Sequence, residues 1–280
     1  MPELPEVEIV KRALEPAMLS QPLTGLVFNR PDLRFPLPAD LPAQLVGQTI
    51  AHMERRGKYI LAFAGDGHGF VLHLGMSGVI RIENADEISD QKHDHVLWTF
   101  KSGPRVVFND ARRFGFLQAV HRDHWSAEPP FHAMGPEPLG NAFNGAYLEG
   151  ALSNKKASIK TALLDQRVVA GVGNIYACEA LYMSGIDPRK SAGALTTEEC
   201  EKLAHAIKAV LRLAIEKGGS SLKDYKHTDG NLGYFQHHFS VYDREGQACP
   251  KTGCRCSEDG GVQRIVQQGR STFYCPYVQN

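Results

Sequence analysis

The chain has 280 residues, and its 31 Lys and Arg equal its 31 Asp and Glu, so its formal net charge is zero. That length suits about two domains with real cores, and a 42% hydrophobic, 22% charged composition without a long apolar run excludes both a disordered chain and a membrane-spanning one. Glu3, Glu6 and Glu8 leave no basic leader at the start, which excludes a secretory signal and points to the cytoplasm, and zero net charge excludes a uniformly basic nucleic-acid binder.

Residues 5–18 are predicted to be a helix, with Pro5 in the first turn and Val7, Val10, Leu14, Ala17 and Met18 forming one apolar stripe. Six short β-like runs follow: Tyr59–Phe63, Phe70–Leu74, Val79–Ile82, His95–Phe100, Arg105–Phe108 and Phe116–Val120. Their Gly-, Pro-, Asn- and Asp-punctuated spacing suits a β-sandwich or barrel. Residues 126–150, with Pro129, Pro130, Pro136 and Pro138, read as a linker. Lys155–Leu164, Gly173–Met183 and Thr196–Lys217 have helical periodicity. The last opens on a Thr196/Glu199 capping box and carries the stripe Leu203, Ile207, Leu211 and Ala214. Residues 218–240 are a Gly-, Ser- and His-rich loop, and from Val241 the pattern is a turn followed by a β-hairpin.

The zero charge hides a split. Residues 1–150 hold 14 Lys and Arg against 18 Asp and Glu, a net of −4, whereas residues 151–280 hold 17 against 13, a net of +4. Such asymmetry keeps a nucleic-acid partner open. Cysteines are also unevenly placed. Cys178 and Cys200 stand alone in helical segments as reduced core thiols, while Cys249, Cys254, Cys256 and Cys275 crowd the last 32 residues. Without a secretion signal, that cluster reads as a metal site rather than a disulfide framework.

The start of the chain carries chemistry of its own. Removal of Met1 leaves Pro2 as a secondary amine, and an α-amino group with a pKa near ~8 is partly neutral at pH 7. Attack by such an amine on an aldehyde-level carbon, for example a sugar C1′, gives a cationic iminium that acidifies neighbouring C–H bonds. Glu3 stands ready as a general acid. Met-Pro-Glu on its own reads more simply as a start codon, a proline that spares the N-terminus and acidic residues suited to a helix N-terminus.

Six blocks in order resolve that ambiguity: Met1–Glu8 (Met-Pro-Glu-Leu-Pro-Glu-Val-Glu), Arg55–Tyr59, His73–Gly78, Asp110–Gly115, Gly171–Tyr176 and Gly269–Cys275. Together they resemble the formamidopyrimidine-DNA glycosylases, within the wider family shared with endonuclease VIII. The resemblance spans nearly the whole chain. It implies an α+β, bilobal fold: an N-terminal catalytic β-sandwich with flanking helices (1–125), the linker (126–150), a helix–two-turn–helix DNA-binding domain with a lesion loop (151–240) and a zinc-finger-like β-hairpin (241–280).

By the same resemblance Pro2 is the nucleophile on C1′, Glu3 the assisting acid, and Glu6 a near neighbour. Lys58 is a proton donor during strand cleavage, and Arg270 is the hairpin arginine of the second elimination. A base inside a duplex must be flipped out and its space filled. Met76 and Phe114 are the matching wedges, and Arg112 presents its fork to the widowed cytosine. His73, His93, Lys155, Lys160 and Asn174 are the further DNA-contacting candidates, Asn174 at a glycine turn that opens a helix. Ser220, Ser221, Tyr225 and Tyr242 are candidates to cap and read the flipped base.

The cysteine cluster departs from the family pattern of two Cys-x2-Cys pairs. The first pair is Cys249-x4-Cys254, Cys275 matches the third ligand, and Val278 occupies the position of the fourth. Tetrahedral zinc requires four ligands, and Cys256 is the expected substitute. A histidine ligand, a three-cysteine site and a metal-free hairpin are the other readings. The activity implied is a bifunctional DNA glycosylase and abasic-site lyase of base excision repair, acting as a monomer on duplex DNA that holds oxidised purines or abasic sites. An endonuclease VIII-like preference for oxidised pyrimidines and a non-catalytic damage-binding module are the alternatives.

Overall fold

A computed structural model describes residues 1–84, 86, 88–101, 103–220 and 234–279. The chain divides into two compact units, Met1–His132 with Gly218–Tyr234, and Ala133–Lys217 with Phe235–Asn280.

The first unit opens with α1 (Leu4–Met18) and holds two four-stranded antiparallel sheets. One sheet has the order β1 (Leu23–Phe28), β6 (Asp94–Phe100), β7 (Arg105–Asn109), β5 (Val79–Glu83). The other has β2 (Ile50–Arg56), β3 (Tyr59–Ala64), β4 (His68–His73), β8 (Phe116–His121). A short α2 (Leu41–Leu45) lies between β1 and β2 in sequence. The expected sandwich is present: Leu23, Val96, Trp98, Val106 and Phe108 from one sheet meet Ile60, Ala62, Phe70, Leu72 and Leu117 from the other in a single buried core, which the α1 stripe Val7, Val10 and Leu14 joins. Phe70 and Trp98 pack across the two sheets with ring centroids 5.5 Å apart.

All six sequence-predicted strands form, with ends shifted by two residues or fewer. Strands β1 and β2, which periodicity does not reveal, are edge strands, and each carries a register irregularity, between Leu23 and Gly25 and between Ile50 and His52. A bulge breaks the two-residue alternation on which strand recognition rests.

The second unit is helical apart from a hairpin. It contains α3 (Gly145–Leu152), α4 (Ile159–Leu163), α5 (Asn174–Ser184), α6 (Thr197–Glu216) and the strands β9 (Gln263–Gln267) and β10 (Arg270–Tyr274). The proline-rich stretch before it holds two 3-10 turns and then α3, which Asn144 caps by accepting the Tyr147 N–H at 2.9 Å. The helix predicted to begin at Lys155 begins only at Ile159, because Ser158 takes the N-cap position. Helix α6 has the predicted capping box at Thr196 and Glu199, and its stripe Leu203, Ile207, Leu211 and Ala214 is buried. Cys178 and Cys200 are both buried thiols. Among the described residues no helix is long and apolar enough to cross a membrane.

Replacing Thr196 with Ala should destabilise the protein by about 1 kcal/mol, whereas Thr196→Ser should leave it nearly unchanged. Urea unfolding followed by circular dichroism measures the difference.

Candidate active site and metal centre

Pro2 is buried immediately ahead of α1. Glu3 and Glu6, the next two site candidates, are 3% and 2% exposed. Glu6 works in two directions. Its Oε2 accepts the Glu3 N–H at 2.8 Å, and its Oε1 accepts both the N–H and the hydroxyl of Ser220, each at 2.9 Å. The chain beside Ser220 closes tightly over α1. Gly219 has φ +74°, and a Cβ there would stand 3.2 Å from Glu6 Oε1 and from Ile9 Cδ1.

Lys58 is brought to this side of the sandwich by its turn. Arg55, at the end of β2, donates to Glu8 Oε2 of α1 at 2.9 Å and to the Gly57 carbonyl at 3.1 Å. Burial pushes the Glu8 carboxyl up, but hydrogen bonds from Arg12 and Arg55 outweigh it and hold the group below the ordinary carboxylate value. Lys58 follows directly and is 7% exposed. An ion pair between Arg55 and Glu8 therefore joins helix α1 to the lysine turn.

His73 sits at the end of β4, stacked on Phe116 at 5.2 Å and against Tyr59 at 4.9 Å. Its Nδ1 accepts the Gly75 N–H at 3.0 Å, so that nitrogen carries no proton and Nε2–H is the free donor. Burial, with the charges of Lys58 and Arg34 nearby, drives its pKa from 6.5 down to about 4. The ring is a neutral donor rather than a cation at neutral pH.

Beyond it, two loops lie back to back. Met76 is 36% exposed on one, and Phe114 is 44% exposed on the other. Arg112, also exposed, places its guanidinium carbon 5.0 Å from the centre of the Phe114 ring. The loops touch through backbone. A Cβ on Gly75 (φ +67°) would fall 2.3 Å from the Gly115 nitrogen, which only a glycine avoids. Asp110 holds them together from beneath, accepting the Ser77 hydroxyl and the Gly115 N–H at 2.7 Å each. His93 is half-buried with φ +77°, and its carbonyl accepts the Asp110 N–H. Asp110 opens one of the six sequence blocks, but the sequence assigns it no role, because an aspartate after a strand reads as a turn residue.

In the second unit, Lys155 and Arg270 line one cleft of about 500 Å³ with Lys156, Arg167 and Gln268. Three bonds assemble it. Asn174, the first residue of α5, donates to the Ser271 carbonyl of β10 at 2.9 Å, while Gln267 donates to Ser158 Oγ at 3.0 Å and to the Pro188 carbonyl at 3.2 Å. Two placements depart from expectation. Lys160 is 0% exposed, buried on the inward face of α4 rather than lying open at a helix start. Tyr242 is half-buried, its ring packed between Phe239 (5.4 Å) and Phe273 (5.1 Å) against the hairpin core. Ser221 and Tyr225 lie outside the described residues.

Glu179 is a further residue that the sequence did not single out. Buried in α5, it accepts the N–H groups of Ser240, Val241 and Tyr242 at 2.8, 3.0 and 2.8 Å. Burial pushes its carboxyl up against the opposing pull of those donors. It fixes the chain where it enters the cysteine hairpin.

The sulfur atoms of Cys249, Cys254, Cys256 and Cys275 all lie within 4.8 Å of one another. Cys254 and Cys275 are 3.7 Å apart, against the S···S edge of about 3.8 Å of a ZnS4 tetrahedron with bonds near 2.3 Å. Four converging thiols suit Zn²⁺, and Cys256, not residue 278, completes the set. Val278 instead packs on the apolar side of the cluster.

A β-sandwich that buries an N-terminal proline beside two glutamates, with a helical unit ending in a four-cysteine hairpin, defines a two-unit protein of the helix–two-turn–helix class. Residues 1–117 match the formamidopyrimidine-DNA glycosylase N-terminal domain, and residues 134–226 match the formamidopyrimidine-DNA glycosylase H2TH domain. A formamidopyrimidine-DNA glycosylase of Cereibacter sphaeroides is 50% identical over the whole of both chains. The crystal structure of MutM (Fpg) from Thermus thermophilus is 38% identical with a TM-score of 0.86, covering 99% of this chain and 98% of its own. A Lactococcus lactis Fpg mutant in complex with Fapy-dG-containing DNA is 32% identical with a TM-score of 0.89 over the full length of both. The chain belongs to the formamidopyrimidine-DNA glycosylase family.

The His73 ring should not titrate above pH 5 in an NMR titration. Because its folded pKa of about 4 lies below 6.5, the unfolded chain takes up the proton first. Stability should therefore fall as pH drops from 6.5 toward 4, and His73→Gln should remove that part of the loss in urea unfolding at pH 7.5 and pH 5.

Proposed function

We propose that this protein is a bifunctional DNA glycosylase and abasic-site lyase of base excision repair, acting as a monomer on duplex DNA in the cytoplasm and removing oxidised purines such as 8-oxoguanine and formamidopyrimidines. The observation that carries the reading is the first unit's combination of a buried Pro2–Glu3–Glu6 start with two contiguous loops that expose Met76, Arg112 and Phe114. One set of groups suits attack on a sugar carbon, and the other suits filling the space that a flipped base leaves.

The chemistry follows from those groups. Loss of Met1 frees the Pro2 nitrogen, whose lone pair attacks C1′ while the C1′–base bond breaks and the base leaves with a proton. Glu3, as the acid, protonates the sugar ring oxygen, the ring opens and the iminium forms. That cation acidifies the C2′ hydrogen, and its loss expels the 3′ phosphate. A second elimination expels the 5′ phosphate. Lys58 serves as proton donor in cleavage, and Arg270 assists the second elimination. Glu6 holds Glu3 and Ser220 in place. His73, neutral with Nε2–H free, donates to a phosphate without adding charge, and the cleft of Lys155, Lys156 and Arg270 takes the backbone on the other unit. His93 and Asn174 remain phosphate contacts in this reading, and Ser220, at the base of the lesion loop, orients that loop. In this reading catalysis belongs to the first unit, and the helix–two-turn–helix domain and hairpin belong to the second, to which the expected linker contributes α3.

One structural zinc per chain, held by Cys249, Cys254, Cys256 and Cys275, belongs to the same reading. When bound, it supplies folding energy to the hairpin rather than reaction chemistry.

Borohydride treatment of protein with 8-oxoguanine:cytosine duplex should give a covalent adduct that Pro2→Gly, or retention of Met1, abolishes. Robust trapping with Met1 attached would refute the amine mechanism, and faster excision of thymine glycol than of 8-oxoguanine would replace the purine preference with the pyrimidine one. Freshly purified protein should carry about one zinc per chain by elemental analysis, and Cys256→Ala should leave less than about a third of that.

A further inference from the structure

Asp110 follows β7 and is 0% exposed, so its carboxylate touches no DNA. Its bonds run to three segments: the loop that carries Met76, the loop that carries Arg112 and Phe114, and His93–His95. Oδ1 accepts the Ser77 hydroxyl at 2.7 Å, and the Arg112 N–H stands 3.3 Å from both Oδ1 and Ser77 Oγ. Oδ2 accepts the Gly115 N–H at 2.7 Å. The Asp110 carbonyl accepts the Arg113 N–H and meets His95 Nε2 at 2.9 Å, while its own N–H goes to the His93 carbonyl. One residue thus ties the Met76 loop, the Arg112–Phe114 loop and the His93–His95 segment. The tie is close, since a Cβ on Gly115 would stand 3.0 Å from Asp110 Oδ2.

We propose that Asp110 is a positioning residue for opposite-base selectivity: by locking the two loops together, it fixes where the Arg112 fork stands relative to the Met76 and Phe114 wedges. This rests on the function proposed above. A guanidinium only donates hydrogen bonds. It matches the two acceptors, O2 and N3, on the pairing edge of cytosine, and meets the amino donor on that of adenine. Such discrimination needs the fork held within a fraction of an ångström, because a misplaced donor serves both bases equally badly. Arg112 is exposed and stacked on an exposed ring, so its own side chain does not provide that fixity. Its backbone, anchored through Asp110 and Ser77, does.

The test uses Ser77→Ala, which removes the Asp110 link to the Met76 loop together with the Ser77 contact of the Arg112 N–H, and Asp110→Asn, which keeps the shape but turns one acceptor into a donor. Single-turnover excision of 8-oxoguanine is measured opposite cytosine and opposite adenine, and borohydride trapping is measured on a preformed abasic duplex. The cytosine-to-adenine rate ratio should fall by about five- to tenfold in both variants, with abasic trapping kept within about threefold. An unchanged ratio, or equal loss opposite both bases, in Ser77→Ala protein that melts like the wild type overturns the proposal. Should Asp110→Asn fail to fold, Ser77→Ala decides alone. A wild type that excises equally opposite both bases also overturns the proposal while its trapping upholds the function. A wild type that gives no adduct overturns the function and the selectivity proposal with it.

Discussion

Buried carboxylates that collect backbone N–H groups hold this molecule's working parts in place. Glu6 gathers donors from Glu3 and Ser220, Asp110 from Gly115 and Arg112, and Glu179 from Ser240, Val241 and Tyr242. A charge taken out of water is costly unless its lone pairs are filled, so each of these sites tolerates few geometries. Charge-assisted bonds contribute about 1.5–3 kcal/mol each, roughly twice the neutral kind. Each carboxylate also sits where chain segments distant in sequence must meet: the chain start with the loop base, two exposed loops, and a helix with the hairpin entry. The precision of the site comes from these anchors rather than from the loops themselves.

Glycine works with them from the other side. Gly75, Gly115 and Gly219 each stand where a Cβ would meet backbone or a carboxylate at 2.3 to 3.2 Å. Removing the side chain lets two loops share one anchor, and the anchor in turn holds a backbone that glycine alone would leave loose. The exposed residues Met76, Arg112 and Phe114 are thereby presented from anchored backbone, which is what the wedge role proposed for them requires.

Much of this was legible in the sequence, in proportion to how local the cause is. The apolar stripes of α1 and α6 and the alternation of the inner strands report burial directly, and those elements form where the pattern places them. Edge strands β1 and β2 escaped because bulges break their period. The charged residues were read least well. Lys160 is 0% exposed although lysines at a helix start usually face water, and Asp110 and Glu179 are ordinary acids in sequence whose partners lie up to 63 residues away. Zero net charge is uninformative for the same reason: three acids are spent inside as anchors, while Lys155, Lys156 and Arg270 gather on one cleft. Local charge decides binding, and the sum does not see it.

The cysteine hairpin shows how a geometric requirement outlasts the position that usually meets it. A tetrahedral ion demands four donors at fixed separation, but it is indifferent to where in the chain they originate. Here a short 3-10 turn, Arg255–Asp259, carries Cys256 back toward Cys249, whose N–H points at the Cys256 sulfur from 3.4 Å. The turn closes on Gly260 and Gly261, both with positive φ, and a Cβ at Gly261 would fall 2.5 Å from the Gly246 carbonyl carbon. The two extra residues between the first pair and the glycine-closed turn together give the cluster its fourth sulfur, which frees residue 278 to be a Val that packs against the hairpin core. The strands that follow keep their register from Arg270–Gln267 to Tyr274–Gln263, so the change of ligand leaves Arg270 at the hairpin tip beside Lys155 and Lys156.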